Sequence, residues 1–379
     1  MLIRKFVYIP LLILFSQLAN AAPSIVPAPP SIAAEAYLLL DHNSGRVLAQ
    51  KNPNARIEPA SLTKLMTAYV VFTEIRNGTV REDDLVTISK KAWKMKGSKM
   101  FIEVGKQIPV EKLIKGMIIQ SGNDATIALA EHVAGSEEQF AILMNQYAEN
   151  MGMTGTHFVN STGWPHEEHY TTANDLAILT RKLITDFPEH YQLYKIKEYT
   201  FNNIRQFNRN RLLWRDDRVD GVKTGHTESA GFCLISSARQ NDMRLISIVL
   251  GTKSEQAREN TSRKLLNYGF RFFETFPLHP SNKALTTMRV WKGEDKQIQL
   301  GVSEPLYVTI PRGNRNKVKA EMKVNAMIEA PIKKGQVLGT VNVMLGEQEV
   351  VNHPLIALHD VKEGGLWRKL VDSAILMFE

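Results

Sequence analysis

Apolar and polar positions change rhythm along this chain. Residues 6–15 form an apolar run broken only by Pro10. Ala36-Tyr37-Leu38-Leu39-Leu40 and Arg46-Val47-Leu48-Ala49 flank Asp41-His42-Asn43-Ser44-Gly45, which predicts a β-hairpin with glycine at its turn. An apolar helical stretch follows Pro59-Ala60-Ser61 and runs to about residue 75. From about 80 to 215 the spacing stays mainly helical. Leu113, Met117 and Ile118 fit one helix, residues 125–133 another, and Asn174-Asp175-Leu176-Ala177 reads as a cap leading into a third. Between 222 and 250 the rhythm shifts to strands, 231–238 and 243–250, separated by Arg239-Gln240-Asn241-Asp242. Residues 256–273 read as a closing helix. Beyond Pro280, Val318, Ala320, Met322, Val324 and Ala326 alternate with Lys317, Lys319, Glu321, Lys323 and Asn325, the period of a half-buried strand. A further strand fits 336–345.

Strands, an inserted helical block, then strands and a helix predict one α/β domain over residues 33–280, its sheet assembled from both ends of the segment. A small all-β domain is expected over 285–360. Residues 1–21 stand apart as a secretory signal peptide: Arg4 and Lys5 precede the apolar run, and Ala19-Asn20-Ala21 is a small-x-small cleavage site. The run is too short for a membrane span. Pro23, Pro27, Pro29 and Pro30 make residues 22–32 an extended, proline-rich leader.

The chain has 379 residues, 44% of them hydrophobic, enough for folded cores rather than disorder. The formal net charge is +8, to which Arg4 and Lys5 contribute. Such an excess suits anionic lipids or substrates, but no stretch combines basic and aromatic residues in a nucleic-acid pattern. The single cysteine, Cys233, lies in an apolar strand pattern and reads as a buried core thiol. No Cys/His cluster has zinc spacing.

Ser61-Leu62-Thr63-Lys64 carries the first chemistry. Positions i and i+3 of a helix share one face, so the hydroxyl and the amine can meet. A serine becomes nucleophilic when a base takes its proton, and a lysine kept neutral by its surroundings can be that base. Ser61 and Lys64 are equally compatible with an ordinary helix start, serine as N-cap and lysine in solvent. Ser121-Gly122-Asn123 follows 60 residues after Ser61, and Lys223-Thr224-Gly225 another 102 residues on, at the start of a strand pattern. Each alone is a common cap or turn. In this order, S-x-x-K, S-D-N and K-T-G form a signature of penicillin-binding proteins and related β-lactamases, and here Gly122 stands at the middle position of the second group, where the family pattern is looser.

With Pro59-Ala60-Ser61-Leu62-Thr63-Lys64-Leu65-Met66-Thr67 and Asp220-Gly221-Val222-Lys223-Thr224-Gly225-His226-Thr227, the chain resembles a low-molecular-mass penicillin-binding protein of the D-alanyl-D-alanine carboxypeptidase family. The resemblance implies a β-lactamase/transpeptidase-like α/β domain, with an antiparallel sheet, flanking helices and an inserted helical subdomain. It implies no metal and no cofactor. Ser61 would attack the carbonyl between the last two D-alanines of a peptidoglycan stem pentapeptide, with Lys64 as base and Ser121 and Asn123 lining the cleft. Lys223, Thr224, Gly225, His226, Arg258 and Arg209 would bind substrate, the cations holding its carboxylate. The backbone N–H groups of Ser61 and His226 would form the oxyanion hole. β-Lactams would acylate Ser61. Glu167 and Glu168 are alternative bases acting through water, but Pro165-His166-Glu167-Glu168-His169 reads as an exposed turn. Trp164 stands where the family more often has leucine.

In the tail, Leu366, Trp367, Leu370, Val371, Ala374, Ile375 and Phe378 fall on one helical face, opposite Arg368, Lys369, Asp372 and Ser373. Residues 364–379 are expected to be an amphipathic helix in the membrane interface, swinging on a Gly364-Gly365 hinge, with docking on the protein's own surface as the alternative. The expectation is a peripheral enzyme on the periplasmic face of the inner membrane. D,D-Endopeptidase or β-lactamase activity at the same site, or a non-catalytic wall-binding or shape role, are the rival functions.

Overall fold

The computed structural model describes residues 26–377. The signal peptide and Phe378 lie outside them. The predicted hairpin forms strands β1 (Ala36–Asp41) and β2 (Val47–Lys51), with Gly45 at φ +73° in its turn. Their sheet is completed much later in the chain by β3 (Val219–Thr227), β4 (Gly231–Gln240) and β5 (Met243–Thr252). The order is β2-β1-β5-β4-β3, antiparallel throughout. Every residue of β1 is buried. Because side chains alternate across a strand, Leu38 and Leu40 join the core under the helical block while Tyr37 and Leu39 join the core on the opposite face. A strand apolar on both faces is thereby covered on both.

The helical block contains α1 (Lys64–Asn77), α2 (Asn123–Ala134), α3 (Glu137–Asn150) and α4 (Ala173–Asp186); the closing helix is α5 (Glu255–Phe272). Gly78 in the left-handed region ends α1. Ser136 and Ser254 cap α3 and α5 by accepting from backbone N–H groups. The cap of α4 is Thr172, not the Asn174-Asp175 pair expected; its hydroxyl accepts from Asp175 N–H. The helix expected through Leu113, Met117 and Ile118 runs from Val110 to Lys115 and then widens into a π-type turn, Gly116–Gln120. Two short ribbons inside the block, Leu85–Thr87 with Gln107–Pro109 and Glu198–Phe201 with Ile204–Phe207, lacked a strand-like sequence pattern. The Lys223-Thr224-Gly225 segment lies in the middle of β3 rather than at its start.

The change of character placed after Pro280 begins earlier. Strand β6 (Phe273–His279) follows α5 directly and pairs with β9 (Leu306–Pro311). Between them lie β7 (Ala284–Arg289) and β8 (Gln297–Gly301), and after them β10 (Val318–Val324), β11 (Val337–Leu345) and β12 (Gln348–Ala357). The larger sheet runs β7-β8-β12-β11-β10. Strand β10 departs from its half-buried expectation: Ala320 and Met322 are exposed along with the lysines between them. It is the sheet's edge; only its end residues, Val318 and Val324, pack against the core, and its lysines guard that edge.

A polar junction couples the domains. Asp41 accepts from Ser44 N–H at 2.8 Å and from the Thr275 hydroxyl at 2.9 Å. The Thr309 hydroxyl bridges Thr275 at 2.7 Å and Ser44 at 2.6 Å, and Arg46 donates to Thr309 O at 2.6 Å. Burial raises the Asp41 carboxyl above its ordinary range, against these hydrogen bonds. Thr309→Val keeps the shape and removes the bridging hydroxyl. It is expected to cost about 1–3 kcal/mol, read as a lower urea midpoint with unchanged slope.

Candidate active site

Ser61 sits in a single 3₁₀ turn, Ala60–Thr63, that feeds directly into α1. The residue before it, Ala60, holds φ +46°, a left-handed conformation unusual for alanine. Neighbours fix that conformation. Ala60 O accepts from the Thr63 hydroxyl at 2.8 Å, and Thr63 Oγ1 lies 2.8 Å from His169 Nε2. Val159 N–H donates to His169 Nδ1 at 3.1 Å, which leaves the ring proton on Nε2, pointing at Thr63. Burial first, then the nearby His157, His166 and Lys64, hold the imidazole down to about 4. It is therefore neutral at neutral pH, as this chain of donors requires. Gly163 closes the same turn: a Cβ there would lie 1.7 Å from Ala60 O.

Lys64 is 2% exposed. Its Nζ lies 3.0 Å from Ser61 Oγ, 2.7 Å from Asn123 Oδ1 and 2.7 Å from Thr162 O. Asn123 cannot turn its amide round, because its Nδ2 donates to Lys96 O at 2.8 Å. Both of these partners are therefore pure acceptors. Burial pushes the amine down to about 7, against the upward pull of the Asp124 and Glu137 carboxylates. A neutral amine has two hydrogens, and the two carbonyl oxygens take both. The lone pair is left for Ser61, whose O–H can then donate to it.

Ser121 closes the π-type turn in a left-handed conformation, φ +64°. Its hydroxyl accepts from Lys223 Nζ at 2.8 Å, and Lys223 also donates to Thr224 O at 3.0 Å. Burial, then the Lys64, Arg209 and Arg258 cations, holds Lys223 well below its ordinary value. Strand β3 thus lays Lys223 across the cleft from α2. Gly225 lets the strand pass the nucleophile turn, since a Cβ there would meet Pro59 O at 3.0 Å and Leu62 Cγ at 3.2 Å.

The cleft encloses about 960 Å³, and Ser61, Ser121, Asn123, Thr224, His226, Arg209 and Arg258 all line it. Arg258 is 3% exposed, and its Nε has no hydrogen-bond partner among the described residues. Arg209 is presented by a loop pinned through Asn210, which donates to Gly221 O at 2.9 Å. His226 is exposed, its ring 4.0 Å from that of Phe232. Trp164, 43% exposed, forms part of the rim. Glu167 and Glu168 are exposed and outside the cleft lining, as their loop composition implied. Cys233 is buried in β4, its thiol pushed up to about 11 by burial.

Three supporting groups escaped sequence reasoning. Asp124, 1% exposed, accepts from Met100 N–H at 2.9 Å and Phe101 N–H at 3.0 Å, holding the loop beside Asn123. His169 lies in the very turn read as exposed. Asn160 Oδ1 accepts from the Thr162, Gly163 and Trp164 N–H groups, winding the loop that aims Thr162 O at Lys64. Asp124 follows the Ser-Gly-Asn motif directly, the one signal that could have marked it.

Residues 24–254 match the D-alanyl-D-alanine carboxypeptidase family, and residues 273–363 match the penicillin-binding protein 5 C-terminal domain. The chain is 46% identical to the D-alanyl-D-alanine carboxypeptidase DacC of Escherichia coli (strain K12), covering 97% of this chain and 94% of that one. It is 44% identical to DacA of the same strain, over 94% and 90%. Penicillin-binding protein 5 of Haemophilus influenzae superposes with a TM-score of 0.85 at 41% identity, over 89% of this chain and 100% of that one. With the serine, the buried lysine and both motif partners around one cleft, the chain belongs to the D-alanyl-D-alanine carboxypeptidase family of serine hydrolases.

Proposed function

We propose that Ser61 and Lys64 carry out the hydrolysis as nucleophile and general base. The observation that carries this is the buried Lys64 amine, 3.0 Å from Ser61 Oγ with two fixed carbonyl acceptors. Burial holds it down to about 7, so that its neutral form, lone pair left for Ser61, is available at neutral pH. The serine oxygen bonds to the carbonyl carbon of the penultimate D-Ala as its proton passes to Lys64 Nζ. The resulting oxyanion is held by the N–H groups of Ser61 and His226. The proton held by Lys64 passes through Ser121, itself bonded to Lys223, to the departing D-Ala amine, the C–N bond breaks, and Lys64 is neutral again. Water then attacks the Ser61 ester as Lys64 takes its proton; the bond from the carbonyl carbon to Ser61 Oγ breaks, Lys64 returns that proton to Ser61 Oγ, and the shortened peptide leaves as its carboxylate. Asn123 holds the substrate amide; Lys223, Thr224, Arg258 and Arg209 hold the terminal carboxylate. The substrate is the peptidoglycan stem pentapeptide. β-Lactams, whose strained amide fits the same pose, acylate Ser61.

We place the enzyme on the periplasmic face of the inner membrane. Two features support this: the leader at 1–21, and a terminal helix, α6 (Leu366–Leu376), that leaves Leu366 and Trp367 each 82% exposed. No described helix is long and apolar enough to cross a membrane; the exposed apolar side chains of α6 suit attachment at the interface.

Release of D-alanine from a peptide ending in Lys-D-Ala-D-Ala should depend on the neutral form of Lys64. Below about pH 7 its kcat/KM should fall about tenfold per pH unit, because protonation removes the base. Ser61→Ala should lose at least about 10³-fold in kcat at every pH; equal release by both proteins would remove Ser61 from the mechanism. His169→Ala frees the Thr63–Ala60 clasp and is expected to lower the acylation rate by about 10²-fold with little change in KM, measured by stopped-flow acylation with a fluorescent penicillin. A chain ending at Gly365 should remain active but stay in the supernatant when vesicles are pelleted.

A further inference from the structure

The expected hinge before the terminal helix is absent. Residues 361–364 are stitched into the β domain: Val361 and Ile332 exchange hydrogen bonds at 2.9 and 2.8 Å, and Glu294 N–H donates to Lys362 O at 2.9 Å. Gly364 N–H donates to Lys292 O at 2.7 Å. Gly364 is itself buried, with space for no side chain, since a Cβ would lie 2.9 Å from Gly293 O. Two turns of helix later the same loop grips the chain again. Asp372 is 1% exposed, and its Oδ2 accepts from Lys292 N–H at 2.7 Å and pairs with Arg368 Nε at 3.1 Å. Arg289, stacked 3.5 Å above Trp291, approaches the other carboxylate oxygen at 4.0 Å.

The helix therefore docks through its polar face. Its apolar residues, Leu366, Trp367, Leu370, Val371 and Met377, point away from the protein. An amphipathic helix covering its own domain would do the reverse. A water-exposed strip of Leu366, Trp367 and Leu370 matches the interface of a bilayer, Trp near the headgroups and Leu below them, while Arg368 and Lys369 pair with Asp372 and Glu363 of the protein itself.

We propose that α6 is a rigid foot rather than a tether: the Asp372 clasp fixes the helix on the β domain, so the bilayer is entered in one orientation. The Asp41–Thr275–Thr309 junction carries that orientation to the catalytic domain, and the cleft is held at one attitude to the membrane. This inference rests on the membrane reading above.

Time-resolved fluorescence anisotropy separates foot from tether. A dye on Glu167→Cys, at the exposed turn beside the cleft, reports the catalytic domain's motion in the full chain bound to phosphatidylglycerol-containing vesicles. The reference is the same protein with a flexible Gly-Ser segment inserted between Gly364 and Gly365. The wild-type tail should keep a residual anisotropy at least about twofold above the reference. Asp372→Ala should fall to the reference while pelleting with vesicles as the wild type does. A wild type that decays like the reference, or an Asp372→Ala variant that keeps the wild-type plateau, overturns the foot while leaving membrane attachment intact. A full chain that fails to pellet with vesicles overturns both.

Discussion

Everything at this site depends on one buried amine having fewer hydrogens than partners. Charged, Lys64 could donate to Ser61, Asn123 and Thr162 together, and the serine would be no better a nucleophile than in water. Burial tips the balance. Once neutral, the amine satisfies two fixed acceptors and turns its lone pair to the third contact. The surrounding architecture keeps those acceptors fixed. Asp124 holds the loop beside Asn123, Asn160 winds the loop behind Thr162, and His169 braces the turn that carries Ser61. Burial, with the Lys64, Arg209 and Arg258 charges beside it, likewise holds the Lys223 amine well below its ordinary value.

The motif residues were legible in the sequence because each must bring a particular functional group to the cleft, and order and spacing survive folding. Ser61, Lys64, Ser121, Asn123 and Lys223 meet as their segments implied, although they come from a helix start, a turn and a strand far apart in the chain. The hairpin, β4, β5 and α5 were legible too: the strands are apolar runs bounded by turn residues, and α5 buries one face. The groups that hold the motif residues in place were not. His169 sits in a segment of charged and polar residues, and only the packing of Phe158 and Val159 around it makes it a buried brace. The carbonyl of Thr162 has no sequence signature, since every residue carries one.

The opposite error occurred in the β domain. Strand β10 has the alternation of a half-buried strand, yet only its ends, Val318 and Val324, reach the core, and Ala320 and Met322 are exposed. The pairing order that puts it at the sheet's edge is a property of the whole domain. The Gly364-Gly365 pair misled for a related reason. Glycine suits a flexible joint, but it also suits a place where two backbones touch, and here Gly364 lies against Lys292 and Gly293. Local composition could not separate these cases.

The exposed edge of β10 has a consequence for molecules crowded side by side on a surface. Two copies meeting edge to edge, antiparallel over the whole strand Val318–Val324, would centre on Glu321. Glu321 would then oppose its own copy, and Lys319 would oppose Lys323. Like charges directly across a strand pair repel. The full-length symmetric pairing of this edge with a second copy is thus opposed by its own charges.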